Sequence, residues 1–331
     1  MRQPDRLRNR VLRDMSLPRI AITAGDPAGI GPEIAAKAAA DRRVRAVCVP
    51  VMYWPPAGMT FAPGVLSGEA GRAAYDIIVR AVEDARRGNV SAIATAPVNK
   101  EAFRLAGLPW AGHTDLLAHL TGARDVAMMF HSDALRVVLA TIHVPLADVP
   151  RALTKPVMES TIALTSRELP KFGIARPRIA VAGLNPHAGE HGLFGREEMD
   201  TIAPAIAACR GRGIDVAGPF PADTVFVRAR GGEFDVVVAC YHDQGLIPVK
   251  LLAFGKSVNV TLGLPIIRTS VDHGTAFDIA GAGKADPDSM IAAVLLAAKL
   301  AQGGRAAKIP SRRRQAVGRQ NRTRKSASLH R

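Results

Sequence analysis

The sequence predicts an α/β protein built on a largely parallel sheet, and three observations lead there. Short, nearly continuous apolar runs recur along the chain, segments with helix-spaced apolar residues separate them, and the unusual polar residues collect where the runs end. A strand covered on both faces reads as an unbroken apolar run, whereas a helix between two layers repeats its apolar positions every three to four residues. Alternation of the two patterns is the signature of a helix-covered parallel sheet.

In chain order, "RIAITAG" (19–25) reads as the first strand and "TAGDPAGIGPEI" (23–34) as a tight strand-to-helix turn, with Pro32 suited to the first helical position. Its glycines, Gly25, Gly29 and Gly31, do not match a dinucleotide fingerprint, and no lysine follows as in a phosphate-binding loop. A helix over 68–89 closes on Gly88-Asn89 and leads to a strand, "SAIATAP" (91–97), whose end supplies Asn99 and Lys100. After "GHTDLL" come the strands "RVVLATIH" (136–143), "RIAVAGL" (178–184), "DVVVACYH" (235–242) and "SVNVTLG" (257–263). Helical segments over 154–173, 196–213 and 288–304 complete the alternation.

A chain of 331 residues has room for two domains and a sizeable core. No apolar run reaches the roughly 18–20 residues of a membrane span, and the basic N-terminus lacks the apolar segment of a secretory signal. Three cysteines without a CxxC pair, Cys48, Cys209 and Cys240, indicate a reducing, cytoplasmic setting. The net charge of +15 belongs to the ends of the chain. Residues 305–331 hold ten Lys/Arg and no acid, and residues 1–16 hold five Arg against two Asp. The body is nearly neutral, so nucleic acid is not its expected partner; the tail over 305–331 is read as disordered, with polyanion binding left to it alone.

Ligands of open α/β sheets collect beyond the carboxyl ends of strands. Three histidines occupy such places: His143, His187 and His242. Singly, each reads as a hydrogen-bonded structural histidine; together, three imidazoles from separate strand ends suit a borderline divalent cation that keeps open positions for substrate. A second set can hold an anion: His113 and Thr114 at a helix start, Lys250, Asn259 and Arg268, with Asp272 and His273 nearby. The alternatives are a helix cap at Thr114 or Asp115 and solvated cations at Lys250 and Arg268. In "ACYHDQGLIPVK" (239–250), His242 and Lys250 lie eight residues apart, so metal and anion ends must fall within the length of one small substrate.

The stretches "TAGDPAGIGPEI", "TAPVNK", "GHTDLL", "LNPHAGEHGLFGREE", "GPFPADTVF", "YHDQGLIPVK" and "NVTLGLPIIRTSVDHGTAFDIAG" resemble the 4-hydroxythreonine-4-phosphate dehydrogenase family of vitamin B6 biosynthesis over about 18–304. The resemblance implies a two-domain fold like that of isocitrate and isopropylmalate dehydrogenases and a homodimer with its active site at the subunit interface. It also implies NAD or NADP and a divalent metal, zinc first, with magnesium or cobalt as alternatives. On the matching motifs the metal ligands are His143, His187 and His242, and the substrate contacts are His113, Thr114, Lys250, Asn259 and Arg268. Asp223 and Asp243 are candidates for orienting the metal's surroundings or relaying a proton. The implied reaction oxidises the substrate hydroxyl by hydride transfer and decarboxylates the resulting β-keto acid.

This reading assigns 1–16 to a basic extension, 17–104 with 286–304 to a first domain, 105–285 to a second domain holding the metal and substrate residues, and 305–331 to the tail. Two departures stand out: the first domain is short around 51–61, and the arginine-rich tail has no counterpart role. Relatives acting on 4-phospho-erythronate, 4-phospho-threonate or aromatic cis-dihydrodiols are the alternatives; the anion set favours a phosphorylated substrate. An acyltransferase of related fold, needing no histidine-bound metal, and a degenerate enzyme tethered to nucleic acid by its tail are the competing classes.

Overall fold

The computed structural model describes residues 17–308; the extension over 1–16 and the tail beyond Lys308 lie outside the described residues. Ten strands form one sheet: β1 (Arg19–Thr23), β2 (Val49–Tyr53), β3 (Ala92–Thr95), β4 (Ala127–His131), β5 (Arg136–Leu139), β6 (Ile179–Ala182), β7 (Val216–Phe220), β8 (Val236–Ala239), β9 (Val258–Leu262) and β10 (Arg268–Ser270). Their order across the sheet is β2-β1-β3-β10-β9-β4-β5-β8-β6-β7. Six neighbouring pairs are parallel, and the three antiparallel pairs are those that join β10, β9, β4 and β5 in the middle. The predicted α/β class with a mainly parallel sheet is thus observed.

Through those central reversals, β2, β1, β3 and β10 run one way while β5, β8, β6 and β7 run the other. The strands read as unbroken apolar runs because alternate residues meet different helix layers. On one face Met129, Val138, Val181, Val238 and Val260 pack with Met158, Ile162, Ile206 and Leu296. These come from α7 (Lys155–Glu168), α8 (Ala203–Gly211) and α11 (Asp288–Lys308). On the other face Met128, Phe130, Val137, Leu139 and Val237 pack with Val225 of α9 (Ala222–Arg230) and with Leu246 and Val249 of α10 (His242–Ala253). Ile20 and Ile22 lie under α1 (Gly31–Ala40) and α11, and Ala21 and Ile93 under α3 (Gly68–Arg87). Shorter helices α2 (Arg42–Val47), α4 (Lys100–Leu105), α5 (His113–Thr121) and α6 (Val149–Ala152) fill the connections.

Local signals act as expected where they are specific. Ser67 caps α3 through the Ala70 amide, and Gly88 ends it in a left-handed conformation. Pro32 sits in the first turn of α1. The helical segment over 154–173 divides, since α7 stops at Glu168 and a 3₁₀ turn, Leu169–Phe172, follows. Likewise a π turn, Glu198–Ile202, precedes α8. Residues 305–308, assigned to the tail on charge, extend α11, because a helix already packed by Leu296 and Leu300 propagates at little cost.

Candidate active site

The glycine turn after β1 is explained by packing. A Cβ on Gly25 would stand 2.3 Å from the Pro97 carbonyl oxygen, and one on Gly31 would stand 2.1 Å from that of Ala24. Gly25 also has φ +67, which favours glycine. The turn therefore clamps the "APVNK" strand end against β1. Asn99 next caps α4, accepting from the Glu101 and Ala102 amides.

Lys100 follows that cap and enters the wall of a cavity of about 360 Å³. Its floor is one face of the three central strands, because cross-strand partners point the same way: Phe130, Asn259 and Ser270 are successive neighbours, and Arg268 lies two residues from Ser270. The walls come from the ends of β3 and β5, the starts of α5 and α10, and residues 271–274. His113, Thr114, His143, His242, Lys250, Asn259 and Arg268 all line this one cavity. His187, Asp223 and Asp243 do not.

Arg268 is the strongest charge at the floor. It is 2% exposed and donates to Thr95 Oγ1 (2.8 and 3.2 Å) and Thr261 Oγ1 (3.0 Å), with no carboxylate paired to it among the described residues. Burial pushes its guanidinium down to about 9. A cation held dry without a counter-ion is costly, and an anion entering the cavity removes that cost. His113 Nε2 and Asn259 Oδ1 beside it are closed from solvent with no hydrogen-bond partner among the described residues. Burial first, and Arg268 second, hold the His113 imidazole well below its usual range, so it is neutral and can donate. Thr114 belongs to the first turn of α5, where Gly112 replaces a capping side chain and leaves the helix-start amides open.

The other end of the cavity holds imidazoles. The His143 and His242 rings lie 5.6 Å apart at 42°. His242 opens α10 and donates from Nδ1 to Asp243 Oδ1 (2.7 Å), which turns its Nε2 away from that carboxylate. Burial, then Lys100 and His242, keep His143 below its ordinary range and hence neutral near pH 7. On α10, His242, Leu246 and Lys250 recur every four residues, so one helix stripe presents imidazole and ammonium to the same space. The eight-residue spacing read in 239–250 thus places His242 and Lys250 along one cavity.

His187 is elsewhere, in the turn Pro186–Gly192 after β6, with its ring 6.2 Å from that of Phe194. Residues 187–191 are all left-handed, with φ of 51, 53, 81, 41 and 56. Four are not glycine, and that conformation costs each on the order of 1–2 kcal/mol. His143 shares it, with φ 51. Among the described residues no three His, Cys, Asp or Glu side chains are placed to hold one metal ion. Within one chain, two of the three predicted histidines, His143 and His242, meet at one cavity, and the third, His187, lies on a separate turn. Asp243 and Asp223 face each other's helices across an adjoining apolar groove between α9 and α10.

Sequence reasoning passed over Thr95 and Thr261, which hold Arg268, and Met128 and Phe130, which line the floor. Nothing local marks them; their roles come from strand register. Asp272, a candidate in the anion set, accepts from Ser257 Oγ and from Ser289 Oγ (3.2 Å), so it ties β9 to α11 at the cavity edge.

Comparison with known proteins decides the family. Residues 12–297 match the family described as pyridoxal phosphate biosynthetic protein PdxA. The chain belongs to the PdxA family. It is 48% identical over 322 residues to the 4-hydroxythreonine-4-phosphate dehydrogenase of Desulforapulum autotrophicum, covering 85% of this chain and 95% of that one. It is 46% identical over 322 residues to the D-threonate 4-phosphate dehydrogenase of Pectobacterium atrosepticum, covering 85% and 99%. The crystal structure of 4-hydroxythreonine-4-phosphate dehydrogenase from Klebsiella pneumoniae superposes with a TM-score of 0.79 at 44% identity, over 87% of this chain and 99% of that one. A terephthalate 1,2-cis-dihydrodiol dehydrogenase from Burkholderia xenovorans superposes less closely, with a TM-score of 0.62 at 35% identity, over 86% and 98%. As a PdxA-family chain, this protein is an oxidoreductase associated with pyridoxal phosphate biosynthesis.

Proposed function

We propose that this protein oxidises 4-hydroxythreonine 4-phosphate, passing hydride from the hydroxyl-bearing carbon to NAD or NADP, and that the 3-oxo acid loses carbon dioxide to give 3-amino-2-oxopropyl phosphate. The observation that carries the proposal is the cavity itself, with an uncompensated buried cation at one end and two converging imidazoles at the other. Arg268, Asn259, neutral His113 and the open start of α5 with Thr114 bind the phosphate. Lys250, on the same helix face as His242, balances the substrate's remaining negative charge. Met128 and Phe130 supply an apolar surface that keeps water from the reacting carbon.

His143 and His242 are the chain's ligands for a divalent metal, with Asp243 orienting the His242 ring. Such a cation supplies Lewis acidity to the reacting hydroxyl and to the carbonyl that succeeds it. His187 reaches that pair from a second copy of the chain, in a homodimer that shares its active sites. Supporting the dimer, Val227 of α9 and Ile247, Leu251 and Phe254, along α10 to its C-terminal end, are apolar side chains 66–83% exposed. The first domain, 17–104 with 286–304, and the second, 105–285, form the two sides of the cavity in this reading.

A second reading, D-threonate 4-phosphate as substrate, is favoured by relatives of that name at nearly the same identity. NAD(P)H formation with added divalent metal, on both phosphorylated acids, separates the two by kcat/KM. Absence of turnover with either, from folded dimeric protein, sinks the proposal. Abolished activity in His143→Ala and His187→Ala supports the histidine assignment, whereas activity surviving without bound metal refutes it.

A further inference from the structure

The turn that carries His187 is organised around one buried carboxylate. Glu198, 3% exposed, starts the π turn before α8 and has no cationic partner among the described residues. Its Oε1 accepts from the amides of Leu184 and Asn185, both at 2.7 Å, and its Oε2 accepts from Asn185 Nδ2 at 2.9 Å. Glu197 Oε2 takes the other Asn185 Nδ2 proton at 2.7 Å. The chain over 183–195 then wraps this group closely. A Cβ on Gly189 would stand 2.6 Å from Glu198 Oε2, and one on Gly195 would stand 2.5 Å from Asn185 Nδ2.

The wrapped segment is the left-handed run, a conformation that non-glycine residues do not hold without outside support. Glu198 supplies the support on one side. Gln244 supplies it on the other, donating from Nε2 to the Gly183 carbonyl (2.7 Å) while its Oε1 accepts from the Cys240 amide (2.7 Å). Because Gln244 lies two residues beyond His242, one amide side chain bridges the strand ends that carry His187 and His242.

We propose that Glu198 is a positioning residue: its carboxylate fixes the turn over 184–195 so that His187 is presented in its binding geometry before any metal or partner arrives. The functional part of this inference rests on the reading of His187 as a metal ligand; the mechanical part does not. A preset ligand loses little freedom on binding, which is where its affinity advantage arises. Loss of a supporting hydrogen bond behind a metal ligand typically lowers metal affinity about 10–100-fold.

The test uses the full-length chain with Glu198→Gln, close in shape but unable to accept from Asn185 Nδ2 through its new amide, and with Asn185→Ala, which removes the same bond from the other side. Hydrogen exchange of the metal-free protein should rise over 184–195 and stay unchanged in β5 and β8. Cobalt(II) titration, followed by its visible absorption, should show affinity lowered at least tenfold with an altered spectrum. Turnover should lose kcat, while KM for the phosphorylated substrate stays within about twofold, since Arg268 and Asn259 are untouched. Wild-type exchange over 184–195 in both variants overturns the proposal, as does exchange raised throughout the protein with a general loss of Tm. His187→Ala separates the two ideas. If it leaves cobalt affinity unchanged, the ligand reading of His187 falls and the exchange data alone judge Glu198. If it weakens cobalt while Glu198→Gln does not, the positioning proposal fails by itself.

Discussion

Replacing Arg268 with methionine should make the ligand-free protein more stable and the enzyme useless. The guanidinium is held at the cavity floor by two threonine hydroxyls and, among the described residues, by no carboxylate, and burial pushes it down to about 9. A depression of that size from the ordinary arginine value corresponds to about 4–5 kcal/mol of penalty at neutral pH. Methionine keeps much of the aliphatic volume but leaves Thr95 and Thr261 without their donor; each lost bond costs about 1 kcal/mol, and Thr95 retains its bond to Ser270 (3.1 Å). A net gain of about 1–3 kcal/mol remains, equivalent to a rise in Tm of a few degrees for a chain of this size. Wild-type protein should gain Tm on adding inorganic phosphate, and Arg268→Met should not. The pH dependence has a definite sign. Between about pH 9 and the unfolded arginine's pKa the unfolded chain binds the extra proton, so wild-type stability rises with pH there and the gap between the two proteins narrows. Paired thermal melts at pH 7 and pH 9.5, with and without phosphate, measure all of this. A variant less stable than wild type at pH 7 without anions, or one still stabilised by phosphate, refutes the reasoning.

Three further outcomes are expected. His131, pushed to about 4 mainly by burial and lying 5.5 Å from the Phe172 ring, is neutral in the fold; stability should therefore fall as pH drops from about 6.5 towards 4. His131→Phe should remove about 2 kcal/mol of the loss between pH 7 and 5, as read by urea melts. Gly25→Ala should cost more than about 2 kcal/mol, since its Cβ meets the Pro97 carbonyl, whereas Gly88→Ala, with open space and φ +79, should cost about 1; equal Tm losses would show that the turn tolerates a side chain. Glu at Leu251 and at Phe254 together should convert the protein to monomers in sedimentation, with activity lost; an active dimer would move the interface elsewhere.

The strands that sequence patterning reveals are those buried between helices, such as "AIAT" and "VVVA", where both faces demand apolar side chains. The central strand β10 is only "RTS" and looks like loop. It is a strand because β3 and β9 flank it, and it is polar because one face floors the cavity. Strand β7, "VAGPF", hides behind its Gly-Pro pair, which is tolerated because β7 lies at the sheet edge. The site behaves likewise. Residues at strand ends were legible as a set, since polar side chains there have few structural reasons to cluster. Their separation was not, because His187 and His242 follow adjacent strand positions, β6 and β8, yet the left-handed turn carries His187 away from the cavity. A run of positive φ in non-glycine residues leaves no sequence pattern.

The reversal of strand direction at the centre of the sheet has a metrical consequence. The cavity floor with Asn259 and Arg268 lies on β9 and β10, and the imidazoles of His143 and His242 follow β5 and β8, so every strand between them belongs to one hydrogen-bonded ladder. Adjacent strands in such a ladder stand about 4.8 Å apart and do not drift. The sheet thus serves as a fixed gauge for the molecule laid across it, and admitting a longer or shorter one would mean changing strands, not loops.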